Sequence, residues 1–252
     1  MDKPGETPPD SRGCFRNSAN REATKVLVAG VDGCRAGWIA LKIELPSLAT
    51  ALEVIDLPAL LRKHPPELAF LGIDIPIGLL DGSRACDKAA RKLLGRRRGT
   101  SVFAAPCRAA LSVKTHAEAS AINRQKTGRG LSLQSFHIGP KIKQVDDAIT
   151  PDRQRWAFEV HPEVCFWALN GKRPAAHNKK TKEGAVERLA VLSPIFPEIG
   201  PHLDSRPPGV GKDDLLDAAA AAWTALRRHR GEAICVCTPE RDAKGLEVTI
   251  CY

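Results

Sequence analysis

KVLVAGVDG (residues 25–33), WIALKIEL (38–45) and ALEVIDL (51–57) follow one another with only short connections between them. Each is an apolar run bounded by turn residues, and three adjacent runs of this kind predict an antiparallel meander. Outward from it the pattern changes. LPALLRKH (57–64) predicts a short helix, and ELAFLGIDIPIG (67–78) an apolar strand that stops at Pro76 and Gly78. RWAFEVH (155–161) is another strand; Pro162 then opens the helix PEVCFWALN, with Gly171 at its end. Thr181 caps a helix reaching to about Leu192. Asp213 to Arg230 is the clearest helix, with acids in its first turn, five consecutive alanines, a basic last turn and Gly231 as its stop. AICVCTP (233–239) and LEVTICY (246–252) predict a closing hairpin around Lys244-Gly245. Three strands followed by alternating strands and helices predict a mixed α/β fold, a mixed sheet with helices on its faces.

The chain has 252 residues, a length for one domain, here 25–252. Residues 1–24, rich in Pro, Gly, Ser, Asn and charge, read as a disordered tail. A composition of 43% hydrophobic and 27% charged residues excludes a disordered or collagen-like chain. No apolar run is long enough to span a membrane, and no secretory signal is expected at the N-terminus. The eight cysteines form no C-x-x-C pair and are too sparse for a disulfide scaffold, which predicts reduced thiols and a cytoplasmic protein. Cys235 and Cys237 alternate along a strand-like run and share a face.

The formal charge is +9, and the excess sits in one place. Residues 84–143 hold fourteen basic residues against Asp87 and Glu118, whereas the tail is neutral and the remainder slightly acidic. A localised basic surface is the footprint expected for a nucleic-acid backbone. Within it, Ser83 caps a predicted helix from Arg84 to Leu94, closed by Gly95. Its apolar face is Cys86, Ala89, Ala90, Leu93 and Leu94, and its basic stripe is Arg84, Lys88, Arg91 and Lys92. Residues 96–150 are polar, basic and weakly periodic, and read as a basic, partly mobile insertion.

Five acids sit where packing alone would not put them. Asp32 ends the first strand, Asp74 lies between Ile73 and Ile75, and Glu159 interrupts WAFEVH. Asp214 and Asp217 stand three apart at the start of the last helix, on one face. A buried, unpaired carboxylate costs several kcal/mol. Two converging carboxylates about 4 Å apart repel by about 4 kcal/mol at an effective dielectric of 20. A divalent cation relieves both, and oxygen ligands without a histidine cluster suit Mg²⁺ or Mn²⁺. Singly, each acid has an ordinary reading: turn residue, helix-dipole partner, or an ion pair of Glu159 with Arg155.

GVDGCRAGW, GIDIPIGL, R-x-C-D-x-x-A-R, SVF-x-x-P, LS-x-Q, EVHPEV and DDLLDA together resemble a widespread family of predicted nucleases with a ribonuclease H-like fold. The resemblance covers roughly residues 26–252. It implies a ribonuclease H-like sheet and an acid layout similar to that of Holliday-junction resolvases. There one acid comes from the first strand, one from the fourth, and two from the last helix. By motif these are Asp32, Asp74, Asp214 and Asp217, with Glu159 as a fifth acid or a supporting group. The implied activity is phosphodiester hydrolysis of DNA or RNA by a two-metal mechanism: Asp32 bridges two ions, Asp74 and Asp217 complete the coordination, and Asp214 supports them. Lys141 faces the scissile phosphate, while Arg84, Arg91 and Arg108 hold phosphates. A homodimer is the expected assembly, by analogy with resolvases.

Other motifs carry less. PPGVGKDD (207–214) fails as a phosphate loop, having Arg206 and Asp213 where Gly and Ser or Thr are required. His161 reads first as shaping the helix entry at Pro162, and Ser101 and Ser132 sit in no nucleophile elbow. Trp38, Trp156, Trp167 and Trp223 read as core. Two further classes stay open. One is an actin-like ATPase or phosphotransferase whose GVDGCRAG turn cradles phosphate. The other is a non-catalytic nucleic-acid-binding protein whose affinity falls with salt.

Overall fold

The computed structural model describes residues 25–252. The tail predicted for 1–24 lies outside them. The meander forms as the sequence predicts: β1 (Val26–Cys34), β2 (Gly37–Leu45) and β3 (Thr50–Ile55) pair antiparallel in turn. After helix α1 (Leu57–Lys63), capped by Asp56, strand β4 (Leu68–Ile73) returns parallel to β1. Then come helices α2 (Ala85–Arg98), α3 (His116–Thr127) and α4 (Leu133–Ala148), and strand β5 (Ala157–Glu159), parallel to β4. The chain continues through α5 (Pro162–Leu169), α6 (Lys182–Leu192), α7 (Ile199–Asp204) and α8 (Lys212–His229) to the short pair β6 (Glu240–Arg241) and β7 (Glu247–Val248). The five-stranded sheet runs β3-β2-β1-β4-β5 and is mixed, with helices on both faces.

One face carries α8. Its alanines Ala218 to Ala222 are buried with Val28, Ile39, Leu41 and Phe158, and α5, α6 and α7 surround them. The helix lies unusually close because small residues meet on both sides. A Cβ on Gly30 would stand 1.9 Å from the Ala222 amide nitrogen, and one on Gly72 would stand 2.6 Å from the Ala221 carbonyl oxygen. Only glycine fits at either place. The opposite face carries α1 and α4, where Ala29, Val31, Leu71 and Ile73 pack on Ile142, Val145 and Ala148.

Several local expectations change. The stretch 96–150, read as a basic insertion, forms α3 and α4, and α4 is part of the second layer. Hydropathy misses α4 because its buried stripe includes Ser135, Gly139 and Asp146. Asp146 is tolerated there because Arg108 and Lys244 pair with it. Helix α2 begins at Ala85, with no side-chain cap, and continues past Gly95 across a kink where that glycine has φ +64°. Its basic stripe loses Arg84, which is buried. The closing hairpin turns at Gly245, and backbone hydrogen bonds join 234–236 to 250–252. Trp38, Trp156 and Trp167 are buried and Trp223 is half-buried. No helix among the described residues is long and apolar enough to cross a membrane.

Candidate functional site

Strand alternation decides which side chains meet. Val28, Gly30 and Asp32 of β1 face α8, as do Phe70, Gly72 and Asp74 at β4. The Asp74 amide still donates to the Val31 carbonyl at 2.9 Å, so the alternation runs one residue past the strand. The glycine–alanine contact sets α8 low over these strand ends, and the residue just before its alanine run is Asp217. Ligand oxygens of Asp32, Asp74 and Asp217 lie within 4.8 Å of one another. Asp32 accepts the Gly33 amide at 2.6 Å. Asp217 is wholly buried; its Oδ2 meets the Lys179 ammonium, and its Oδ1 has no hydrogen-bond partner.

Crowding three carboxylates in a desolvated place opposes their ionisation. Burial first, then Asp74 and Asp217, lifts Asp32 well above the carboxylate range. Burial and the Asp217 charge push Asp74 up to about 8. Asp217 is also raised, chiefly by burial, although Lys179 pulls against the rise. Lys179 responds in the opposite sense: burial disfavours its charge, but Asp217, Asp74 and Asp32 more than restore it, so it is held firmly protonated. The cluster can therefore accept positive charge beyond what Lys179 supplies. Three carboxylates offering only oxygen suit a hard divalent cation.

The remaining predicted residues divide. Asp214 does not join the three; its Oδ2 accepts the Gly211 amide at 2.8 Å and caps α8. Glu159 is opposite Ile73 in the sheet register, so it points to the face away from α8. There it accepts the Ile77 amide at 2.7 Å and the Arg84 guanidinium at 2.5 Å. Arg84, 2% exposed, is held between Glu159 and Asp87 and presents nothing to a phosphate. Arg91 donates its Nε to the Val102 carbonyl at 2.8 Å. Arg108 is tied to Asp146 and Asp242. Lys141 lies beside Asp32 of the three-carboxylate cluster: its stem lies beside Gly33, its ammonium donates to the Gly37 carbonyl at 2.5 Å over the Trp38 ring, and Asp32 and Asp214 act on its charge.

Sequence reasoning missed Lys179, because nothing in HNKKTKEG separates it from Lys180 and Lys182. It also missed the buried pair of Glu163 and Arg188, although Glu163 lies within EVHPEV and its charge reaches Asp74 and Asp217. His161 is the N-cap residue of α5; burial lowers it to about 4, so it is neutral at pH 7.

No curated protein and no solved structure matches the chain. One family model does, over residues 30–242, a span that takes in every acid named above. The chain belongs to the family described as "Protein of unknown function (DUF429)".

Proposed function

We propose that the protein is a metal-dependent nuclease with a ribonuclease H-like fold, hydrolysing phosphodiester bonds of DNA or RNA with Mg²⁺ or Mn²⁺. One observation carries the reading: the mutual approach of Asp32, Asp74 and Asp217 oxygens to within 4.8 Å, with one buried Asp217 oxygen left unpartnered. The sheet supports it, with one acid from β1, one from the end of β4 and one from the last long helix, three of the four acids in the layout the resolvase resemblance implies. Divalent metal in such a site supplies an activated water and charge stabilisation at the leaving oxygen. The chain's own residues do the rest. Asp32, Asp74 and Asp217 would supply the ligand oxygens that hold the metal. Lys179 limits the repulsion among them, and Asp214 fixes the start of α8. Lys141, at the rim beside Asp32, orients the phosphate. Arg96 and Arg97, exposed at the end of α2, take the backbone-binding role first given to Arg84.

The ATPase alternative would place phosphate at the two-residue β1–β2 connection between Cys34 and Gly37, and ATP turnover without nucleic acid would favour it. The test is cleavage of labelled single-stranded, duplex, hybrid and four-way-junction substrates in Mg²⁺, Mn²⁺ or EDTA, beside Asp32→Asn. We expect metal-dependent cleavage that the variant loses. Cleavage that persists in the variant refutes the assignment; salt-sensitive binding without cleavage favours the non-catalytic binder.

A further inference from the structure

A second group of reactive side chains lies where residues 234–236 pair with 250–252. The hydrogen bonds Ile234 N to Tyr252 O, Tyr252 N to Ile234 O and Val236 N to Ile250 O fix an antiparallel register. In that register Cys235 is directly opposite Cys251, and the two form a bridge pair. Both flanking pairs carry the hydrogen bonds, so Cys235 and Cys251 occupy a non-hydrogen-bonded position. Such positions bring Cα atoms to about 4.5 Å and point both side chains to one side of the ladder. That separation falls within the range of about 4.4–6.8 Å that a disulfide spans.

The two thiols differ in the way that exchange requires. Cys235 is exposed, whereas Cys251 is buried. Cys251 across the ladder, Thr249 beside it and the positive charge of Arg228 all act to lower the Cys235 thiol; they outweigh the cost of burial and bring it down to about 6, which favours the thiolate that exchange requires. Arg228 also reaches the Cys251 sulfur at 3.9 Å. Cys237, two residues on, has Thr249 in the opposite position and no thiol directly across.

We propose that Cys235 and Cys251 form a thiol–disulfide exchange site for small aliphatic disulfides of the glutathione class. The Cys235 thiolate attacks one sulfur of the incoming disulfide, forming a mixed disulfide and releasing one thiolate. Cys251 then gives up its proton and attacks the Cys235 sulfur, closing the protein disulfide and releasing the second thiolate. The protein loses two hydrogens, and one small disulfide becomes two thiols. The product fastens 235 to the final strand, whose Cys251 amide already donates to the Glu159 carbonyl at the edge of β5.

The test treats the full chain with oxidised glutathione at neutral pH, quenches it with acid and maps the peptides by mass. We expect a Cys235–Cys251 cross-link in the wild type, a stable glutathione adduct on Cys235 in Cys251→Ala, and neither product at these positions in Cys235→Ser. Closing a loop of this length should also raise the melting temperature by about 5 °C or more, reversibly on reduction. A wild-type protein that stops at the Cys235 adduct overturns the proposal, because Cys251 is then out of reach. Preferential reaction at another cysteine overturns it as well, because Cys235 is then not the attacking thiol.

Discussion

Replacing Asp74 by Asn should stabilise the metal-free protein. The Asp74 carboxylate accepts no hydrogen bond from the described residues, so the change removes a charge without removing a partner. Its neighbours Asp32 and Asp217 lie within 4.8 Å by their ligand oxygens. Two unit charges at that distance repel by about 3.5 kcal/mol at an effective dielectric near 20. Lys179 offsets part of this, which leaves a gain of about 2 kcal/mol where Asp74 is ionised, at and above pH 8. For a chain of this size that corresponds to about 4–8 °C in melting temperature. The pH dependence has a definite sign. Asp74 titrates at about 8 in the folded protein and near 3.9 when unfolded. The unfolded state therefore gives up its proton first, and the wild type loses stability as pH rises from 4 to 8. The advantage of the variant should be small near pH 4, widen up to pH 8 and then level off. Thermal melts in EDTA across that range measure it. Saturating Mn²⁺ should reverse the order, because metal binding stabilises the wild type by about 2.7 kcal/mol at a hundred times Kd and the variant by less. A variant that melts lower than the wild type in EDTA at pH 8, or a difference that ignores pH, refutes the reasoning.

Lys179→Met should cost about 2 kcal/mol at pH 7 in urea unfolding, because Asp217 loses its paired cation. This is less than the 3–5 kcal/mol of a fully buried pair, since about a third of the lysine side chain meets solvent. Adding Asp217→Asn should recover most of the loss; an unchanged single variant would show that the pair carries no stability. Arg84→Met should cost the full 3–5 kcal/mol, because Glu159 and Asp87 lose their buried cation, and the cost should shrink at pH 5 as Glu159, which burial pushes up to about 7, protonates. Unaltered stability, or a weakened salt dependence of nucleic-acid binding without destabilisation, would return Arg84 to the phosphate-holding role.

The parts of the site that could be read from the sequence are those that conflict with their own surroundings. Asp32 and Asp74 break apolar runs, and the alanine run after Asp217 is too small-faced for an ordinary surface helix. Each conflict is local, so each is visible in one dimension. What stays hidden depends on register. Glu159 interrupts its strand as plainly as Asp74 does, yet pairing with Ile73 turns it to the other face, and no local pattern encodes which residues of β4 and β5 stand side by side. The basic helix shows the same limit: Arg84 is one more cation on a polar stripe until Glu159 turns to meet it. Lys179 is the opposite case, an unremarkable loop lysine made central by position. The feature that joins these is the contact of Gly30 and Gly72 with the backbone of Ala218 to Ala222. By removing side chains from both surfaces, it lets α8 descend until Asp217 reaches the level of Asp32 and Asp74. The charge cluster is thus a consequence of packing. The close helix contact forces the carboxylates together, and the repulsion it stores is what a bound cation would release.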